Sequence, residues 1–150
     1  MALYNTADYK LIYVFSIPDE AHKGLVKVGE ATIHTMLSLD DLKPNCQALR
    51  DAADKGRIKD YTFTAGIKVD LLWAELAIRT KKDILNGMQI TTIQGFRDHD
   101  VHNVLKNSGI KTSYPNGIKN REWFECDSET AKNAIKAVKE CRAFLSENDK

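Results

Sequence analysis

Two side chains that could bind a metal or move a proton, Asp98 and His102, stand four residues apart in a segment with helical periodicity. Residues four apart lie on one face of a helix, so the carboxylate and the imidazole are expected to share a side. Hard divalent cations prefer carboxylate oxygens, and histidine exchanges protons near neutral pH. Asp98 equally suits a helix N-cap, and His102 a half-buried helix position. Asp100 lies on a different face of the helix and is a weaker candidate.

Three basic side chains are candidates for contact with phosphate. Arg57 lies at the end of a predicted helix, Arg50 lies seven residues before it, and Lys27 lies in a predicted strand. A guanidinium pairs with two phosphate oxygens at once and keeps its charge at any working pH, whereas lysine acts as a point charge. The alternatives are an arginine that complements the helix dipole and a strand lysine that faces water. His34 is a further candidate as proton carrier or phosphate donor, with a solvated loop histidine as its alternative.

The elements that would position these groups begin with a β-hairpin. Residues 11–15 and 26–29 are rich in Val, Ile and aromatic residues, and Pro18 and Gly24 lie between them. This pattern predicts two strands joined by a connection longer than a tight turn. Gly29, at the end of the second strand, predicts a bulge or a close approach of another group to the backbone.

The sequence motifs of this hairpin resemble those of the GIY-YIG nuclease family, in which the first strand ends in Gly-Ile-Tyr and the second strand carries Tyr-Ile-Gly. The corresponding three-residue motifs here are Leu11-Ile12-Tyr13 and Lys27-Val28-Gly29. The resemblance is greatest to a phage-type branch of the family. In that branch the second motif is Lys-Ile-Gly, and a Glu-x-x-x-His helix and a Glu-Trp-Phe motif follow later in the chain. The matching residues are Asp98 and His102, then Arg121-Glu122-Trp123-Phe124.

The resemblance implies a fold and a set of roles. The implied fold is a small α/β domain with a mainly antiparallel three-stranded sheet flanked by helices. Tyr13 would orient or deprotonate the attacking water, and Arg57, with Arg50 as the runner-up, would bind the phosphate. Lys27 replaces the second tyrosine of the family and would contact nucleic acid. His34 and His102 would serve proton transfer or phosphate binding.

The metal ligand has two candidates under the resemblance. Asp98 stands where the family branch has glutamate and would hold Mg²⁺ or Mn²⁺, and Glu75 on a predicted third strand is its rival. Asp98 is one methylene shorter than glutamate, so the backbone would have to make up the distance. Glu122 suits either a supporting role or a structural salt bridge.

The remaining pattern predicts a small α/β order of elements. We expect a helix over 47–55 and a loop with extended character over 61–66. Residues 68–79 suit either a strand or a helix by their periodicity, and the family resemblance implies a third strand there, antiparallel to the hairpin. Asn86-Gly87 predicts a second hairpin, flanked by residues 84–85 and 89–93. Helices follow over 98–108 and after a cap at Asp127 or Ser128, with a short strand or loop at 122–126 between them. The last helix has apolar residues at helical spacing: Ala131, Ala134, Ile135, Val138 and Leu145.

Composition limits the class of protein. A chain of 150 residues forms one domain, and its net charge of +1 requires any nucleic-acid contact to come from a local basic patch. The cysteines at 46, 126 and 141 lack metal-binding spacing and are expected to be reduced thiols. The start shows no secretory signal pattern and no apolar run reaches transmembrane length, which favours a cytoplasmic protein.

Three possibilities remain open: the two described next, and an unrelated α/β enzyme whose resemblance to the family is accidental. The first is a metal-dependent endonuclease domain that cuts DNA, of a restriction, repair or mobile-element type. Because no helix-turn-helix, zinc finger or basic arm is recognisable, we expect further domains or subunits to supply target recognition. The second is a catalytically silent module of the same fold that binds nucleic acid or a protein, which the lysine at 27 and the near-zero net charge favour.

Overall fold

The computed structural model describes residues 7–64, 66–117 and 122–150, and at its centre lies a three-stranded antiparallel sheet. The strands are β1 (Ala7–Ser16), β2 (Lys27–Thr35) and β3 (Asp70–Leu76), in the order β2-β1-β3. Residues 11–15 of β1 are buried without exception because this central strand is covered on both faces. A continuous apolar run is the sequence signature of such a strand.

The strand register confirms the predicted antiparallel arrangement. Tyr13 lies opposite Gly29 on β2 and opposite Ala74 on β3. The second strand is longer than expected, because residues 30–35 continue it where a strand ending at Gly29 was predicted. His34 therefore lies on a strand and not in a loop.

Helices cover both faces of the sheet. Helix α1 (Gln47–Ala53) packs on the face that carries Leu11, Tyr13 and Phe15. The opposite face is covered by two helices further along the chain, described below. Side chains of successive strand residues point to opposite faces, so β1 supplies two separate apolar clusters.

Two π-helical turns, Asp54–Ile58 and Asp60–Thr64, follow α1. The predicted loop with extended character is therefore wrong over residues 61–64, whereas Gly66 lies outside any helix or strand. The Thr62 hydroxyl donates to the carbonyls of Ile58 and Lys59, and the ring of Tyr61 packs edge-on against Phe15 at 5.7 Å. Tertiary packing thus holds a helical conformation that the local pattern does not indicate. Ala65 lies outside the described residues.

The second hairpin forms as predicted and is longer than expected. Its strands are β4 (Ile78–Leu85) and β5 (Met88–Gly95). Asn86 and Gly87 both adopt positive φ, of 53° and 77°, which is the backbone that a two-residue type I′ turn requires.

The helices on the second face are α2 (Asp98–Asn107) and α3 (Ser128–Lys139), with a short strand pair, β6 (Thr112–Ser113) and β7 (Trp123–Phe124), between them. Asp127 caps α3 as predicted, accepting a hydrogen bond from the Thr130 amide. Leu145 is buried as expected but lies beyond the end of α3, where Cys141 has a positive φ of 57°.

Three further predictions concern Arg121, the cysteines and membrane-spanning helices. Arg121 lies outside the described residues. All three cysteines, Cys46, Cys126 and Cys141, are free thiols. Over the part of the chain that the structure describes, no helix combines the length and the apolar character needed to cross a membrane.

Candidate active site at the edge of the sheet

A cleft of about 540 Å³ opens along the edge strand β2, between the turn that follows α1 and the start of α2. Its side chains include four cations, three carboxylates, a tyrosine and a histidine. The lining residues are Lys10, Tyr13, Lys27, Val28, Gly29, Glu30, Arg57, Arg97, Asp98, His102 and Glu122.

Tyr13 reaches this cleft by crossing the backbone of Gly29. A Cβ atom at position 29 would stand 2.7 Å from the Tyr13 hydroxyl oxygen, which is closer than two such atoms can approach. The predicted close approach at Gly29 is therefore confirmed, and the group that approaches is the Tyr13 ring.

The Tyr13 phenol stays protonated at neutral pH. Its burial raises the pKa of Tyr13 to about 12, although the nearby Arg57 guanidinium acts in the opposite direction. A neutral phenol can donate one hydrogen bond and accept others, so in the free protein Tyr13 is suited to orienting a water or a phosphate oxygen.

Arg57 is exposed and lies in the first π-helical turn, immediately after a kink at Gly56. A Cβ atom at position 56 would come within 3.3 Å of the Ala31 side chain on β2, so the glycine lets this turn approach the sheet edge. Among the residues that the structure describes, no carboxylate forms an ion pair with Arg57. Its guanidinium is therefore available to an anionic ligand.

Asp98 forms a carboxyl–carboxylate pair with Glu30. Burial and the hydrogen bond to Glu30 raise the pKa of Asp98 above its usual range. Burial also tends to raise the pKa of Glu30. Hydrogen bonds with Asp98, Lys10 and Arg97 outweigh this effect and lower the pKa of Glu30 to about 2. Proton uptake at either of these two carboxyl groups therefore affects the other.

Two cations bind Glu30 from the outer side of the cleft. Lys10 Nζ lies 2.8 Å from one carboxylate oxygen, and Arg97 Nε lies 2.8 Å from the other. Glu30 on β2 therefore joins β1, through Lys10, to the start of α2, where Asp98 is the first residue.

The opposite wall of the cleft is fixed by hydrogen bonds to backbone carbonyls. Lys27 Nζ donates to the Glu122 carbonyl at 2.8 Å, and His102 Nε2 donates to the Val28 carbonyl at 2.7 Å. Because a carbonyl only accepts, the His102 hydrogen resides on Nε2. Nδ1 of His102 lies 3.6 Å from the Glu122 carboxylate, which also binds Lys106.

Three candidate residues do not reach the cleft. Glu75 lies beneath α3, where it forms an ion pair with Lys139 at 2.5 Å and accepts a hydrogen bond from the Trp73 indole. Arg50 donates to the Leu71 carbonyl and to Asn45, which ties α1 to β3. His34 lies at the far end of β2, hydrogen-bonded to Asp8. The geometry therefore favours Asp98 over Glu75 and Arg57 over Arg50.

Sequence reasoning overlooked three residues of the cleft: Lys10, Glu30 and Arg97. Glu30 directly follows Gly29, and an alternating pattern continues to Thr35, with Ile33 buried and its neighbours exposed. Extending the second strand through this pattern would have placed Glu30 on the face where α2 packs. The nearness of Lys10 and Arg97 depends on strand pairing and helix docking, which local patterns do not report.

The donor atoms of the cleft suit a hard divalent cation. Asp98 and Glu30 both offer carboxylate oxygens to the cleft, and Mg²⁺ is usually held by one or two carboxylates together with waters and substrate phosphate. Within the described ranges, no group of three or more Asp, Glu, His or Cys side chains has a metal-holding arrangement. Any cation would therefore take its remaining ligands from water or substrate.

Comparison with protein-family models, with curated proteins and with solved structures finds no match to this chain.

Proposed function

We propose that this chain is a metal-dependent endonuclease domain of the GIY-YIG type that hydrolyses phosphodiester bonds in DNA. The observation that carries the proposal is the convergence of Tyr13, Lys27, Arg57, Asp98 and His102 in one cleft. These residues come from β1, β2, the turn after α1, and α2, and they are five of the eight residues to which the sequence resemblance gives candidate roles.

Phosphodiester hydrolysis needs a positioned water, a proton acceptor and positive charge on the phosphate. Arg57 supplies the charge, since it is exposed, permanently cationic and able to bind two phosphate oxygens. A divalent cation held by Asp98 and Glu30 would polarise the phosphate and lower the pKa of a bound water. Tyr13 would orient that water through its hydroxyl group.

His102 is the best-placed proton acceptor among the cleft residues. With its hydrogen on Nε2 and directed to the Val28 carbonyl, the imidazole keeps a lone pair on Nδ1. Glu122 beside Nδ1 would stabilise the imidazolium that forms when a proton is taken up. Lys27, fixed by the Glu122 carbonyl, would add positive charge along the path of the nucleic-acid backbone.

The test is nicking of supercoiled plasmid in Mg²⁺ or Mn²⁺ by the wild-type chain, Arg57→Ala and Asp98→Asn. Matched controls remove the same charge elsewhere: Arg142→Ala, whose guanidinium binds the exposed Glu140, and Asp51→Asn on the exposed side of α1. We expect nicking that needs the metal, drops at least ~100-fold in both cleft variants and is unchanged in the controls. Nicking that persists in both cleft variants would refute the proposed site.

A catalytically silent binding module is the second candidate. It is favoured by the internal pairing of the cleft, where Glu30 binds Lys10 and Arg97, and by the small number of metal-ligating groups. A silent module would bind DNA through Arg57 with the same affinity in chelator and in Mg²⁺, and would leave plasmid intact. An affinity that rises with Mg²⁺ and falls in Asp98→Asn would argue against it.

A further inference from the structure

The β4–β5 hairpin is a ribbon that projects from the body of the protein. All residues from Thr80 to Ile93 are exposed, whereas Ile78 and Arg79 at its base are partly buried. The Arg79 guanidinium donates to the Val138 carbonyl at the end of α3, which fixes the base to the body. A two-stranded ribbon without a covering layer buries too little to be stable by itself, so its length indicates a contact with a partner.

The dimensions and the charge of the ribbon suit duplex DNA. Each strand has eight residues, which corresponds to a length of about 27 Å, and two-stranded ribbons bind DNA in the minor groove as well as in the major groove. Three basic residues and one acidic residue lie on it, and Lys81 and Lys82 point to opposite faces, as neighbours on a strand do. Two exposed lysines in the middle of the ribbon could therefore reach the backbone on either side of a groove.

The tip of the ribbon is apolar. Ile84, Leu85 and Met88 have exposed fractions of 80%, 59% and 70%. Apolar side chains of these types at the end of a DNA-binding element insert between base steps and unstack them. A lysine-bearing stem with an apolar tip is the arrangement expected of such a wedge.

The ribbon starts beside the cleft. A second cavity of about 470 Å³ lies at its base, lined by Ile78, Ile93 and Gly95 of the ribbon together with Lys10 and Arg97. The two cations also line the candidate active site. The cleft and the base of the ribbon therefore adjoin at Lys10 and Arg97, although Asp8 also lines the second cavity and Glu30 pairs with both cations.

From these observations we infer that the β4–β5 ribbon is a DNA-contacting arm. It lies in a groove of the duplex whose backbone enters the cleft, with Lys81 and Lys82 on phosphates and the apolar tip against the bases. The inference rests on the proposed function for the orientation of the duplex. The contact of the ribbon with DNA does not require catalysis.

The experiment measures binding of a short fluorescent duplex in chelator, as a function of salt, by the 150-residue chain. The stem variant is Lys81→Gln with Lys82→Gln, and the charge-matched control is Lys23→Gln with Lys43→Gln, two exposed lysines away from the ribbon. Loss of two phosphate contacts should weaken binding about tenfold at low salt and reduce the slope of log affinity against log salt by about two. The control should bind like the wild type.

The tip is tested by Leu85→Ser with Met88→Ser on a duplex that carries 2-aminopurine, whose fluorescence rises when it is unstacked. We expect the wild type to raise this fluorescence and the tip variant not to, with the salt slope retained. Because the substituted side chains are exposed, unfolding curves should be unchanged.

The alternative outcomes separate the two proposals. Binding that is lost in the stem variant, together with a wild type that neither nicks plasmid nor is stabilised by Mg²⁺ against thermal unfolding, would support the arm and refute the nuclease. Metal-dependent nicking with equal DNA binding by stem variant and control would refute the arm alone. A wild type that fails to bind duplex at low salt would refute the arm. If the tip variant abolished self-association measured by light scattering and left DNA binding unchanged, the ribbon would be a protein interface instead.

Discussion

At the residue scale, the site depends on the absence of a side chain at position 29. The Tyr13 hydroxyl enters the cleft over the Gly29 backbone, and the space it uses is the space that a Cβ atom would fill. We expect Gly29→Ala to lower the free energy of unfolding by about 1–3 kcal/mol, because the buried ring must shift. Plasmid nicking should fall further than stability explains, since the phenol is displaced.

The matched control for this substitution is Gly95→Ala. A Cβ atom there would lie 3.7 Å from the Ala77 carbonyl oxygen, an ordinary contact. Urea unfolding curves of both variants give the stability difference directly. Equal stability of the two alanine variants would contradict the packing argument for Gly29.

The thiols offer a second residue-scale prediction. Burial, reinforced by the neighbouring Asp127 carboxylate, raises the pKa of Cys126 to about 12, whereas Cys141 is exposed. Because the thiolate is the reactive form, Cys141 should react with a thiol reagent at pH 8 while Cys126 reacts only on unfolding. Mass spectrometry after brief labelling of the wild type and Cys141→Ser checks this. Fast labelling of Cys126 in the folded protein would contradict it.

The sequence can indicate a candidate site residue only where a local motif determines the position of that residue. Tyr13 and Lys27 lie in two strand motifs that resemble those of a nuclease family, and Asp98 and His102 share a helix face, so short motifs are enough to select them as candidates. The separation of Arg57 from Arg50 depends on a kink at Gly56, and the pairing of Asp98 with Glu30 depends on how α2 docks on β2. Such contacts between distant segments leave no local pattern.

At the element scale, the sequence is informative where a single residue determines backbone geometry. Asn86-Gly87 predicts the second hairpin because both residues tolerate positive φ. The continuation of β2 to Thr35 escapes the same reasoning, since Glu30, Thr32 and His34 have polar side chains and only the pairing with β1 keeps them extended. The π-helical turns after α1 depend on Tyr61 packing against Phe15 and are not predictable locally.

The cap of α3 carries an element-scale prediction with a pH dependence. Hydrogen bonds from Thr130 lower the pKa of Asp127 below its ordinary value of 3.8. Since the folded-state pKa is lowered, the stability that Asp127 contributes is fully present above the unfolded-state value and is lost as the pH falls through the folded-state value. Asp127→Ala should destabilise the protein by about 1 kcal/mol at pH 7.

The control for this prediction is Asp127→Asn, which retains a capping oxygen but cannot titrate. It should be more stable than Asp127→Ala at every pH, and its difference from the wild type should shrink below about pH 4. Urea unfolding at several pH values measures both effects. If the difference in free energy of unfolding between Asp127→Ala and the wild type stayed constant down to the lowest pH measured, the carboxylate charge would play no part in the cap.

At the scale of the whole molecule, charge is distributed unevenly although the net charge is only +1. The cleft and the ribbon contain lysines and arginines, some of them offset by Glu30 and Glu122 and some, such as Arg57, without a carboxylate partner among the described residues. Favourable interaction with DNA would come from this surface and would weaken steeply with salt. The near-neutral remainder of the protein then limits binding elsewhere on its surface.

A metal ion bound by the proposed Asp98–Glu30 site would link metal binding to the stability of the entire fold. A cation that binds Asp98 and Glu30 binds only the folded chain, because the unfolded chain does not bring α2 and β2 together. At a concentration about ten times its dissociation constant, Mg²⁺ should stabilise the protein by about 1.4 kcal/mol and raise the Tm by roughly 4 °C. Asp98→Asn should abolish this rise, whereas the surface control Asp51→Asn should keep it.

The measurement is thermal unfolding in Mg²⁺ against Na⁺ at equal ionic strength, which cancels general screening. It does not require catalysis, so it separates a metal site from a nuclease that fails to cut for want of its target-recognition partners. A rise of equal size in Asp98→Asn would place the cation elsewhere on the protein. No rise in the wild type would leave the Asp98–Glu30 pair as a structural contact between α2 and the edge of the sheet.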